Sequence, residues 1–185
     1  MPAPLSRRSP ELSESEARLR LEGWFREHFD AVWRLARRLG VPPALVDDVV
    51  QEAFITAERR AADIVDGSAR SFLFQTTIKV SANCRRKHSH QQQLLAPLAL
   101  HSEPCPTAEQ LLDGKQRREL LDWVLEQLPA EQRNVFVLYE VEGYNVPEIA
   151  ELLELPSGTV ASRLGRARDK FSKTVARLRA QSESS

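Results

Sequence analysis

The residues best suited to recognition chemistry lie in the run Val146-Pro-Glu-Ile-Ala-Glu-Leu-Leu-Glu-Leu-Pro-Ser-Gly-Thr-Val-Ala-Ser-Arg-Leu-Gly-Arg-Ala-Arg. Ser157 is placed to cap a helix, and Val160 and Leu164 are spaced to face inward from it. That spacing leaves Thr159, Ala161, Ser162, Arg163, Gly165, Arg166 and Arg168 outside or flanking the core. Hydroxyl and guanidinium groups at a helix start suit a DNA major groove, where arginine bonds guanine and the helix N-terminus meets phosphate. Just before them, Ile149, Ala150 and Leu153 mark the buried face of a shorter helix, and Leu155-Pro156 makes the turn. The segment therefore reads as a helix-turn-helix. A plain helical hairpin with no DNA role is the rival, disfavoured by the cap, the spacing and the basic second helix.

Other reactive groups fail to assemble into a catalytic pattern. The chain contains no glycine-rich phosphate loop, no His-Glu-x-x-His and no nucleophile elbow. Its carboxylates sit on amphipathic segments, where solvation accounts for them. Cys84, His88, His90 and Cys105 are donors of the kind zinc takes, but their spacing matches no zinc pattern. A buried Cys84 beside solvated histidines is the expectation, with no metal, no cofactor and no enzymatic activity.

The elements that must hold these residues are helical throughout. Leu21, Phe25, Phe29, Val32, Leu35, Ala36 and Leu39 recur at three- and four-residue steps and predict one amphipathic helix. Gly40 ends it and Pro42-Pro43 opens a second, marked by Leu45, Val46, Val49, Val50, Ala53, Phe54 and Ala57. After Asp66-Gly67-Ser68 a third helix is predicted over about residues 70–87. Periodicity lapses around Pro97, Pro104 and Pro106, then resumes near Glu109. The expected organisation is all-α: a disordered tail at 1–15, a helical bundle at 16–88, a flexible linker at 89–108 and a second helical unit at 109–181.

Charge supports that division. The 185 residues carry 26 basic and 26 acidic side chains, so no uniformly basic coat exists. Residues 45–66 nevertheless hold six acids against two bases, and residues 70–90 hold five bases and no acid. Residues 131–156 hold six acids against one base, and residues 157–181 seven bases against one acid. An acidic helix thus precedes a basic one in each half, and a basic stripe of this kind tracks a phosphate backbone. Two cysteines cannot build a secreted disulfide scaffold, no apolar run approaches the ~20 residues of a membrane span, and the opening residues lack a signal-peptide core. A soluble intracellular protein is expected.

Against this background, Leu128-Pro-Ala-Glu-Gln-Arg-Asn-Val-Phe, Glu142-Gly143, Glu148-Ile-Ala-Glu and Gly158-Thr-Val-x-Ser-Arg-Leu-x-Arg-Ala-Arg resemble region 4 of the extracytoplasmic-function (ECF) sigma factors of the sigma-70 family. Asp47-Asp-Val-Val-Gln-Glu-Ala-Phe is similar to their region 2 core-binding helix. The resemblance implies a bacterial transcription initiation factor that binds core RNA polymerase and directs it to promoter DNA. Core binding, to the β′ clamp helices and the β subunit, would fall on Asp47, Asp48, Gln51, Glu52 and Phe54. The −10 element would meet Phe72, Phe74, Gln75, Lys79, Arg85, Arg86 and Lys87. The −35 element would be read by Ala161, Ser162, Gly165 and Arg166, with Ser157, Thr159, Arg163 and Arg168 holding phosphates. The resemblance further implies an anti-sigma partner and a cytoplasmic location, in the nucleoid when bound to polymerase or at the membrane when held there by that partner.

Two departures from the family pattern stand out. Ala161 and Gly165 replace a long basic and a bulky residue, which shifts −35 recognition toward DNA shape. Phe72-Leu-Phe-Gln-Thr-Thr replaces Trp-Leu-Tyr-Arg-Ile-Ala, so Gln75 stands where relatives carry arginine. Core packing is expected for at least one of Phe72 and Phe74. The altered third helix also supports the alternative of a sigma-like adaptor or decoy, which would occupy an anti-sigma factor without initiating transcription.

Overall fold

Seven α-helices hold most of the described residues, 14–65, 67–95 and 114–182, of this computed structural model. Helix α1, Glu14–Arg38, buries Val32, Leu35 and Ala36 completely, with Leu39 just beyond it. Farther up the same stripe, Leu21 and Phe29 are half-buried and Phe25 is 48% exposed, because this part of the stripe lines an open surface groove. Gly40 ends the helix at φ +81°, a conformation that disfavours any residue with a Cβ. A single 3₁₀ turn, Pro43–Leu45, then leads into α2, Val46–Arg59. Its Val46, Val49, Val50, Ala53, Phe54 and Ala57 face inward at helical spacing.

Helix α3, Ala69–Leu95, closes a three-helix bundle with Leu73, Phe74 and Ile78 in the core. Thr77, also fully buried, donates its hydroxyl to the Leu73 carbonyl at 2.7 Å, so no polar atom is stranded there. The helix runs seven residues into the segment expected to be linker from residue 89. The reason is physical: the glutamines at 91–93 are good helix formers, so the helix continues without an apolar stripe to mark it. The rest of the expected linker, 96–108, and residues 1–13 of the expected tail lie outside the described residues, as does Cys105.

The second unit comprises α4, Gly114–Glu126; α5, Ala130–Phe136, continued by a π-helical turn over Val137–Val141; α6, Val146–Leu153; and α7, Ser157–Ser182. Val135, Val137 and Leu138 pack with Ile149, Val160, Leu164 and Ala167, and Phe136 stacks on Phe171 with ring centroids 4.8 Å apart. The two units also share one core and pack on each other. Arg133 of α5 reaches under the end of α1 and donates to the Leu39 carbonyl at 2.9 Å, while also bonding the carbonyls of Glu126 and Leu128. Burial and the nearby Arg85 hold its pKa down at about 10, so it is still a charged donor at neutral pH. Around it, Arg37 pairs with Asp122 at 3.3 Å, and Glu142 accepts from both Arg38 and Arg70.

Candidate nucleic-acid interface

The helix-turn-helix is built by two devices. Asn145 and Glu148 form a reciprocal capping box at the start of α6: the Asn145 side chain accepts from Glu148 N at 3.0 Å and the Glu148 carboxylate accepts from Asn145 N at 2.7 Å. Asn145-x-x-Glu148 is the sequence pattern that announces such a box. At the other end Glu154 adopts a left-handed conformation, φ 56°, where glycine is the usual residue. The carbonyl of Pro156 then accepts Thr159 N and Val160 N. Helix α7 therefore begins at Ser157, which is its first residue rather than its cap. Inside the unit, Ile149 and Leu152 are buried, while Ala150 and Leu153 are half-buried.

Along α7 the inward positions are Val160, Leu164 and Ala167, which leaves Ala161, Ser162, Gly165 and Arg166 as one exposed stripe. A Cβ built on Gly165 meets nothing within 4 Å, so the stripe has a shallow gap at its centre. Arg166 extends from it with no ion-pair partner among the described residues. Its two neighbours expected to hold phosphates are engaged within the fold. Arg163 is half-buried and paired with Glu131. Arg168 donates to the Glu140 carboxylate at 2.6 Å and lies 4.9 Å from the Tyr139 ring centre; that hydrogen bond raises its pKa. Ser157 is exposed and Thr159 half-buried at the start of the helix.

On α2, Asp47, Asp48, Gln51 and Glu52 lie together on the exposed side, and Phe54, at the edge of that side next to Asp47 and Gln51, packs against Phe25 at 5.0 Å. Asp47 accepts from Trp33 Nε1 at 3.0 Å. Beside this acidic face runs an open groove of about 600 Å³, lined by Leu21, Phe25, Phe29 and Phe54. Phe25 belongs to the apolar stripe of α1, and here that stripe faces the groove between α1 and α2 rather than a packed core.

The residues expected at the −10 element are more dispersed. Phe74 is fully buried under Tyr144, with no face open to a base. Phe72 is half-buried with the Arg60 guanidinium 5.8 Å from its ring centre. Gln75 donates to the Leu152 carbonyl at 3.2 Å and to Glu154 at 3.0 Å; Lys79 pairs with Glu154 at 3.1 Å. Arg85 turns inward to the Leu39 carbonyl, where burial lowers its pKa. Arg86 bonds Asn83, and it and Lys87 stay exposed. Cys84 is half-buried, its thiol pushed up by burial, near half-buried His88 and exposed His90. Among the described residues no helix is long and apolar enough to cross a membrane.

Comparison with known proteins matches both helical units. The family model of sigma-70 region 2 matches residues 24–91 and that of sigma-70 region 4 matches residues 118–171. The chain is 30% identical to the ECF RNA polymerase sigma factor SigE of Mycolicibacterium smegmatis over 79% of its own length, but spans only 58% of that relative, less than two thirds. It is 31% identical to the ECF RNA polymerase sigma-E factor of Escherichia coli, over 73% of this chain and 76% of that one. Among solved structures, CnrH in complex with the cytosolic domain of CnrY superposes with a TM-score of 0.63 at 26% identity, covering 88% of this chain and 94% of that one. With both sigma-70 regions matched in chain order and the helix-turn-helix falling inside the second, the chain belongs to the ECF sigma factors of the sigma-70 family.

Proposed function

We propose that the chain is an alternative transcription initiation factor that binds core RNA polymerase and brings it to specific promoters. One observation supports this above the rest: the exposed Ala161, Ser162, Gly165 and Arg166 stripe opens a 26-residue basic helix directly after a helix-turn-helix turn. In this reading α7 enters the −35 major groove. Arg166 supplies the long hydrogen-bonding side chain, and the gap at Gly165 lets the backbone approach the bases closely. Ser157 and Thr159 face phosphate at the helix start, where unpaired N–H groups favour anions. Arg163 and Arg168 lock α7 onto α5 and its π turn, and so orient the stripe rather than read it.

On α2 the carboxylates of Asp47, Asp48 and Glu52, with Gln51 beside them, meet cationic side chains of the β′ clamp helices. Charges of this kind set partner choice and association rate more than affinity. At the −10 element Phe72 is the aromatic available to stack on an unpaired base, with Gln75, Lys79, Arg86 and Lys87 along the backbone. Phe74 and Arg85 support that surface from inside. The reading places the protein in the cytoplasm, held when inactive by an anti-sigma factor, as CnrH is bound by CnrY in its solved complex.

Reconstituted transcription tests the proposal. Purified chain and bacterial core polymerase, incubated with a genomic promoter library, are expected to initiate at a defined subset of sites. Asp48→Arg is expected to abolish that initiation. Core binding without initiation would instead establish the adaptor or decoy, and loss of both would overturn the reading.

A further inference from the structure

We propose that Glu131 and Glu140 determine promoter specificity: by neutralising Arg163 and Arg168 they keep α7 from holding DNA of any sequence. This rests on the assignment of α7 to the −35 element and names the residues that make its binding depend on sequence.

Residues 157–168, the first half of α7, carry three arginines, Arg163, Arg166 and Arg168, and no acid, a charge of +3. Three guanidinium groups on one helix would hold phosphates whatever the bases, because a phosphate contact carries no sequence information. The fold engages two of the three. Arg163 is ion-paired with Glu131 in the first turn of α5. Arg168 donates to Glu140 at 2.6 Å and lies 4.9 Å from the Tyr139 ring centre. Tyr139 and Glu140 are successive residues of the π turn Val137–Val141. A π turn holds more residues per turn than an α-helix, so successive side chains diverge less and both reach one guanidinium. Arg166 stands between the two pairs, exposed and without an ion-pair partner among the described residues. With two of three charges cancelled, this face presents +1 to DNA.

The two pairs sit where they do little for folding. The Glu131 side chain is 71% exposed, and those of Arg168 and Glu140 are 49% and 35% exposed. Ion pairs this open to water contribute little to stability, so their main effect falls on the field that α7 presents. A phosphate competing for Arg168 must displace a carboxylate that offers the same kind of oxygen, and gains little by the exchange. The specific complex loses nothing by this, since Arg166 at a base edge fixes one register of α7 in the groove. Non-specific complexes sample many registers, and it is these that arginines released from their acids would hold. The acidic run at 131–156 thereby supplies counter-charges for the basic run at 157–181 that follows it.

The test measures binding of the full-length chain to two fluorescein-labelled duplexes, a random-sequence pool and a promoter fragment on which its holoenzyme initiates, over a series of salt concentrations. The double substitution Glu131→Gln, Glu140→Gln keeps an acceptor at each position and removes the charge; a thermal melt with the cooperativity of the wild type shows that both units remain folded. On the random pool the plot of log affinity against log salt should steepen by about 1.8, or ~0.9 for each arginine released to phosphate. A slope of 0.9 is roughly eightfold in affinity for each tenfold dilution of salt. The promoter fragment should gain less, so the ratio of the two affinities falls. An unchanged slope on the pool, or no binding to it by either protein, would overturn the proposal in a chain whose holoenzyme initiates, and would leave the −35 assignment standing. Equal gains on both duplexes would overturn the claim of specificity. Glu140→Gln in an Arg168→Gln background should change neither slope; the same gain there would mean that overall charge acts rather than the release of Arg168, and would overturn the proposal too. If the holoenzyme initiates nowhere and the wild-type chain binds no duplex, the −35 assignment falls and the inference with it.

Discussion

Replacing Gly40 by alanine tests the docking of the two units at a single atom. A Cβ on Gly40 would sit 1.8 Å from Arg133 Nη1, inside any tolerable contact, and the backbone there holds φ +81°. Two costs follow, and they separate. The left-handed backbone disfavours alanine by about 1–2 kcal/mol whatever surrounds it. The clash falls on the far end of a long side chain, so Arg133 yields and gives up its 2.9 Å bond to the Leu39 carbonyl. A hydrogen bond from a charged donor contributes about 1.5–3 kcal/mol. Gly40→Ala is therefore expected to cost about 2.5–5 kcal/mol in the wild-type chain, but only the ~1–2 kcal/mol of backbone strain when Arg133 is already alanine. Urea unfolding of the four proteins of this cycle, followed by circular dichroism, yields the coupling directly, expected at about 1.5–3 kcal/mol. Equal costs in both backgrounds would mean that Arg133 does not approach Gly40 in solution, and the packing of the second unit under α1 would be refuted.

Other expectations can be checked with the same proteins. Gly165→Ala meets open space in a helix and should raise stability by about 0.5–1 kcal/mol, read as a higher melting temperature. Asn145→Ala removes the side-chain half of the capping box and should cost about 1 kcal/mol by urea unfolding. Burial raises the Asp122 pKa above its ordinary 3.8 despite Arg37 beside it, so the folded state binds the proton more tightly and stability falls as pH climbs from 3.8 through the folded value. Asp122→Asn should flatten that decline in a plot of urea midpoint against pH. Arg166→Ala should weaken binding to the selected promoter by ~1–3 kcal/mol in a gel-shift titration while sparing random DNA; an equal loss on both would make it a phosphate contact.

What the sequence disclosed and what it hid divide along one physical line. Helices α2, α6 and α7 were legible because each buries a stripe whose period is its own, as Val46, Val49, Val50, Ala53 and Phe54 show on α2. The exposed stripe on α7 followed from the same arithmetic, since Val160, Leu164 and Ala167 leave Ala161, Ser162, Gly165 and Arg166 no other side. The last turns of α3 were not legible because His88-Ser-His-Gln-Gln-Gln carries no apolar repeat. Contacts between the units were hidden for a different reason. Arginine, glutamate and glutamine are the ordinary furniture of a helix surface, and nothing in their spacing says that a surface 70 or more residues away will meet them.

Those polar contacts also give the altered third helix a structural meaning. The family resemblance leads one to expect an arginine at position 75; the neutral Gln75 amide present there bonds the Leu152 carbonyl and the Glu154 carboxylate together. An arginine there would face one carboxylate already shared with Lys79 and would hold the turn more tightly through a charge-assisted bond. Glutamine weakens the grip on the turn and on phosphate alike, because both present the same kind of acceptor. Gln75→Arg should therefore hold the two units together more firmly and raise the urea midpoint of unfolding, and the gain should vanish when Glu154 is replaced by glutamine. An equal rise in both backgrounds would mean that position 75 does not meet the turn in solution.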